Sequence, residues 1–184
     1  GGIVDPDGLD PAEVEDLLLR RTGNRLPPLR DDPRYLETPD AFFDTPADVL
    51  VAAAASGTLN RGVLQRLHDA GVRSIVAGAN HPFAAESPGD TSTEQYADQL
   101  FSIVADIIAS CGTAHAFACQ SRSDMPMQPA EVFESIHATV TDAVDEAVRR
   151  AGSAEFGMLA AGLEMALERC ATPPTHPQQI GAQS

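Results

Sequence analysis

The chain has 184 residues, 43% of them hydrophobic, and a formal net charge of −15. That length and apolar content suffice for one packed domain with a helical appendage and exclude global disorder. The charge argues against a nucleic-acid backbone or an anionic membrane as partner, since both repel it, and no apolar run reaches the length of a membrane span.

The three cysteines, Cys111, Cys119 and Cys170, are too few and too irregularly spaced for a disulfide framework or a zinc site. They read as buried thiols in a cytoplasmic chain. The opening Gly1-Gly2, with no methionine and no signal peptide, reads as a fragment or processed piece of a longer protein.

Residues 1–10 form a turn-rich loop. Asp5, Asp7 and Asp10 do not match a calcium loop, because the glycine is misplaced and the closing glutamate is missing. Helix capping explains them better. Asp10 caps, Pro11 takes the first helical position and Glu13 closes a capping box. The helix runs to about Thr22 on a face of Val14, Leu17 and Leu18, and Gly23 stops it. Residues 24–47 are rich in Pro, Arg and Asp. They carry a short segment near Tyr35-Leu36 and a small helical turn that takes Phe42 and Phe43 into the core.

Two apolar runs follow, Asp48 to Ser56 and Arg73 to Asn80, both reading as buried strands. Between them, Asn60 to Ala70 places Val63, Leu64 and Leu67 on one helical face, with Gly71 as its stop. Strand, helix, strand is a βαβ unit, which implies a parallel sheet covered by helices. Ligands of such sheets bind beyond the carboxyl ends of the strands, here near Ala54–Ser56 and Gly78–Pro82. Thr91 and Glu94 form a second candidate capping box, with Tyr96 and Leu100 on one face. Ser102 to Ile108 then reads as a further buried strand, or a pair of short strand segments, ending at Ala109–Thr113.

From Ala114 the pattern is helical, broken at Pro126 and Pro129. Val132, Phe133, Ile136, Val140, Ala143, Val144 and Val148 recur at helical spacing up to Arg150. After Gly152, Phe156, Leu159, Leu163, Leu167 and Cys170 mark a second helix, giving an antiparallel hairpin. The proline-rich tail, 171–184, is expected to be disordered.

Four stretches together are similar to the cofactor-binding half of the Glu/Leu/Phe/Val dehydrogenases. They are Gly1 to Asp10, Asp48 to Ala54, Gly78-Ala79-Asn80-His81-Pro82, and Met158 to Arg169. The resemblance covers nearly the whole chain. It implies an α/β fold: a partial Rossmann-type doubly wound parallel sheet over 1–113, with C-terminal helices over 114–170 packed on it. It also implies NAD or NADP as cofactor, oxidative deamination of an amino-acid substrate, and a full-length protein that is a homo-oligomer.

By the same resemblance, Asn80, Ser110, Ala53 and Ala54 contact the cofactor, and Ala114 and Phe117 line the substrate side-chain pocket. An asparagine amide offers both a donor and an acceptor to a ribose hydroxyl or a carboxamide. The chain departs from the family at the third strand end. Ser110-Cys111-Gly112-Thr113-Ala114 stands where Asn-Ala-Gly-Gly-Val is usual, so a shorter hydroxyl replaces an amide and a β-branched residue replaces a glycine. Phe117 stands near the serine that contacts a substrate carboxylate in glutamate-using members. It implies an apolar substrate side chain, or else simply packs its helix on the sheet.

The sequence contains no G-x-G-x-x-G and no lysine. The family's phosphate loop and catalytic lysines are therefore absent from these residues, and the chain is expected to be inactive alone. The alternative is a non-catalytic relative serving regulation or assembly. Cys111 and His115, one turn apart, lack a third orienting group, so an ordinary helix start explains them better than a nucleophile and its base.

Overall fold

A computed structural model of the chain describes residues 2–23, 25–27, 29, 31–121, 128–152 and 156–171. The proline break at Pro126 and the tail beyond Ala171 lie outside the described residues. The chain divides into two compact units, residues 1–48 with 62–72, and residues 49–61 with 73–184.

In the first unit, β1 (Gly2–Ile3) pairs antiparallel with β2 (Tyr35–Leu36). A Cβ on Gly2 would collide with the Phe42 ring, so the bare glycine lets this ring pack against the strand. Phe42 sits in a 3-10 helix, Pro39–Asp44, the small helical turn read from the sequence. Helix α1 (Pro11–Arg20) starts where expected, with Asp10 Oδ1 accepting from the Ala12 N–H at 2.8 Å. Glu13 does not close the capping box. Its carboxylate accepts from Arg34, which also donates to Asp5 at 2.9 Å and Asp32 at 2.8 Å. A guanidinium with three carboxylates in reach outcompetes a single cap amide. Of the expected α1 face only Leu17 is buried; Val14 and Leu18 are exposed.

Helix α2 (Arg61–Asp69) buries Val63, Leu64 and Leu67, as its spacing predicts, and the chain turns at Gly71 with φ +96°. Arg66 fastens it to the 3-10 helix through Asp44 at 2.7 Å and Asp40 at 3.1 Å.

The second unit holds a three-stranded parallel sheet in the order β3-β4-β5, formed by Val49–Val51, Ser74–Val76 and Ser102–Val104. Leu50, Ile75 and Ile103 stand in register across it. Ile75, Ile103, Phe101 and Leu59 are among the largest fully buried side chains of this unit. Every strand is shorter than its apolar run. After β5, Asp106 accepts the N–H of Ile107 at 2.8 Å and opens helix α4 (Asp106–Ala109), so Ile107 and Ile108 are helical rather than extended. Short apolar runs leave strand and helix indistinguishable by period alone, and here the carboxylate decides.

Helix α3 (Ser92–Ala97) follows β4. Its expected capping box does not form; Asp90, one residue earlier, accepts the Ser92 N–H at 3.0 Å. The remaining helices are α5 (Cys111–Gln120), α6 (Pro129–Ala151) and α7 (Met158–Ala171). The last two pack on each other, and α7 also packs on β5. Phe156 precedes α7 instead of belonging to it. The buried face of α7 is Leu159, Ala161, Gly162 and Met165, whereas Leu163 and Leu167 are exposed. A Cβ on Gly162 would come within 3.2 Å of Ile108 and 3.3 Å of Ala105, so the helix approaches the sheet end closely at its small residues. On α6 the buried positions are Ala143 and Ala147, while Phe133 and Val148 are exposed. Cys119 is buried, but Cys111 is only half-buried and Cys170, in the last turn of α7, is exposed.

Candidate functional site

The segments after β3 and β4 run side by side, laced by backbone bonds. Ala79 N–H donates to Ala52 O at 2.7 Å, Gly57 N–H to His81 O at 2.9 Å and Leu59 N–H to Pro82 O at 2.9 Å. Ala53 lies against Gly78, where an added Cβ would come within 3.1 Å of the alanine Cβ. The loops expected to hold ligand at the carboxyl ends of the strands therefore form one continuous rim.

Asn80 sits on this rim, exposed. Ser110, expected at a strand end, instead occupies the junction of α4 and α5. The structure nevertheless brings the two together: Ser110 Oγ lies 3.4 Å from Asn80 Oδ1 and 2.6 Å from the Asp106 carbonyl. One hydroxyl proton cannot serve both, and the shorter bond takes it. Asn80 Oδ1 is left facing the serine oxygen at the longer distance, and its amide nitrogen engages no partner among the described residues. Ala53 and Ala54 are exposed beside this rim. Ala114 and Phe117 follow Ser110 along α5 at the four- and seven-residue spacing of one helical face. Phe117 is 65% exposed, so it does not pack its helix on the sheet.

Sequence reasoning missed the groups that brace the rim. Asp106 accepts the His81 N–H at 2.9 Å, and the Ser56 hydroxyl donates to Asn80 O at 2.6 Å. The available signal was an aspartate placed immediately after a parallel strand. On the other side of His81 is a cavity of about 640 Å³, lined by Phe83, Glu94, Asp106, Ile107, Leu159 and Leu163 among others. Glu94 is half-buried there. Burial pushes its carboxyl pKa up; the Asp106 charge adds to this and His81 opposes it. None of the six residues expected from the sequence lines this cavity. His115 Nε2 lies 2.8 Å from Ser135 Oγ, tying it to α6. Among the described residues no group of three or more metal-ligating side chains is assembled, and no helix is long and apolar enough to cross a membrane.

A parallel α/β sheet whose polar groups gather at the carboxyl ends of its strands defines the class of domain that binds ligands at that edge. Residues 1–174 match the model of the Glutamate/Leucine/Phenylalanine/Valine dehydrogenase family, and the chain belongs to that family. Two solved structures share its fold, a glutamate dehydrogenase and a single-substitution mutant of glutamate dehydrogenase. Each has a TM-score of 0.70 and 15% identity over 92% of this chain. The chain spans 39% of the length of each. Comparison with curated protein sequences returned no match.

Proposed function

We propose that this chain is the cofactor-binding half of an NAD(P)-dependent amino-acid dehydrogenase, which converts an L-amino acid to a 2-oxo acid and ammonia. The observation that carries this reading is the exposed Asn80 amide beyond the end of β4, its oxygen turned to Ser110 and its nitrogen open. An open amide N–H donates to a carboxamide oxygen or a ribose hydroxyl. Ala53 and Ala54 leave the adjoining backbone approachable. None of Ala53, Ala54, Asn80 and Ser110 carries a charge, which suits the uncharged carboxamide and ribose rather than the phosphates.

The nicotinamide supplies the hydride acceptor. The task of this chain is orientation: Asn80 fixes the ring edge, while Ala114 and Phe117 on α5 flank the substrate side chain and exclude water. Burying a substrate carboxylate beside a phenyl ring is costly, so the pocket favours an apolar side chain. The chain has no lysine to act as a base of lowered pKa, so it does not complete the reaction alone.

Asn80→Ala tests the reading by steady-state kinetics and dinucleotide titration of the active protein. Loss of one neutral hydrogen bond should weaken cofactor binding about two- to tenfold. Unchanged kinetics and affinity would remove Asn80 from the site.

A further inference from the structure

His81 has φ +49°, and it is the one described residue other than glycine in the left-handed region. A side chain there carries a backbone strain that surrounding bonds must hold. The bonds that hold it converge on a single peptide unit. Its carbonyl, Asn80 O, accepts from the Ser56 hydroxyl at 2.6 Å. Its N–H, on His81, donates to Asp106 Oδ2 at 2.9 Å. The next carbonyl, His81 O, accepts from the Gly57 N–H at 2.9 Å. The Asn80–His81 peptide is thus gripped at both ends, by a serine after β3 and an aspartate after β5, while it belongs to the segment after β4.

We propose that Asp106 and Ser56 are positioning residues, which lock the Asn80–His81 peptide in its strained orientation so that the Asn80 amide N–H is presented to a carboxamide oxygen or a ribose hydroxyl. The identity of that ligand rests on the function proposed above; the lock itself does not. Asp106 acts twice. Its carboxylate holds the backbone of the turn, and its carbonyl accepts from the Ser110 hydroxyl at 2.6 Å, which fixes the serine beside Asn80 Oδ1. Both carboxylate oxygens accept an N–H, Oδ2 from His81 and Oδ1 from Ile107 at 2.8 Å. Asparagine in its place must therefore aim an NH₂ group at one of the two donors, so an isosteric change breaks the lock. Glycine at position 81 adopts positive φ at no steric cost and removes the strain the lock opposes.

The test uses Asp106→Asn, Ser56→Ala and Asn80→Ala, with Asp106→Asn repeated in a His81→Gly background. The readouts are hydrogen exchange of the His81 amide and the affinity for reduced dinucleotide. Asp106→Asn should speed His81 exchange and weaken binding about tenfold. Ser56→Ala, at an exposed serine, should weaken binding in the same direction, and the effect of Asp106→Asn should shrink in the His81→Gly background. If Asn80→Ala weakens binding while Asp106→Asn and Ser56→Ala leave it unchanged, the positioning role is overturned and the proposed function stands. If Asp106→Asn weakens binding equally in both backgrounds, Asp106 acts by another route and the inference fails. If Asp106→Asn speeds His81 exchange but neither it nor Asn80→Ala changes binding, the cofactor role of Asn80 fails and the presentation role with it.

Discussion

One hydroxyl proton decides how the candidate site is wired. Ser110 gives it to the Asp106 carbonyl at 2.6 Å, and Asn80 Oδ1 is left 3.4 Å away. The other polar group of note nearby is Glu94, half-buried in the cavity beyond His81. Burial raises its pKa above the ordinary 4.5, with Asp106 adding to the shift. Between the unfolded and the raised folded value, the folded chain binds more protons than the unfolded one. Stability attributable to this group is therefore present at low pH and is lost as pH rises through that window. Glu94→Gln should raise the thermal unfolding midpoint at neutral pH and leave it unchanged well below pH 4.5. Unfolding midpoints of the two proteins that differ equally at every pH would contradict the shift and its cause.

At the scale of elements, α2 shows periodicity at its most informative. Val63, Leu64 and Leu67 recur at helical spacing and all three are buried. Leu64 is fully buried, so Leu64→Ala should destabilise the fold by about 2–5 kcal/mol in denaturant melts, whereas Leu19→Ala at an exposed site should change little. Helix α7 shows the limit of the same reasoning. Its leucines at 163 and 167 mark an apolar stripe, but both are exposed, and the sheet end is met at Gly162. Periodicity takes residue size as a sign of burial, whereas closeness of approach is what matters at this contact. Gly162→Val should accordingly loosen α7 from Ile108 and Ala105, read as a lower unfolding midpoint; an unchanged midpoint would mean that the helix has room to spare. The capping box of α1 fails because a better partner for Glu13, Arg34, lies far along the chain, and α7 is likewise capped from afar by the Asp98 carboxylate, which accepts from Leu159 and Ala160 at 2.9 and 3.1 Å. Such partners are invisible to a local motif. The parallel sheet and the placing of Asn80 at a strand end were legible, because both follow from apolar runs bounded by small and polar residues. The braces from Ser56 and Asp106 were not, since they depend on three strand ends meeting in space.

At the scale of the whole molecule, acidic charge dominates, and in the first unit Arg34 gathers three of the carboxylates. Arg34 hydrogen-bonds Asp32, whose pKa it lowers from 3.8 to about 2, and it also lowers that of Asp5. These depressed groups contribute stability above the unfolded carboxylate value, and that contribution is lost as pH falls toward about 2. Acid unfolding followed by Tyr35 fluorescence in a Tyr96→Phe background should therefore begin at higher pH in Arg34→Gln; an identical acid midpoint would contradict the network. The family to which the chain belongs, together with an arrangement of polar groups at the strand ends, makes nicotinamide binding at Asn80 the central claim. The most direct measurement is a titration of the ¹⁵N-labelled chain with reduced nicotinamide mononucleotide, the half of the cofactor assigned to this rim. The account predicts shifts centred on the Asn80 side-chain amide and on the backbone of Ala53, Ala54, His81 and Ser110. Shifts confined to other surfaces, or none at saturating ligand, would contradict it.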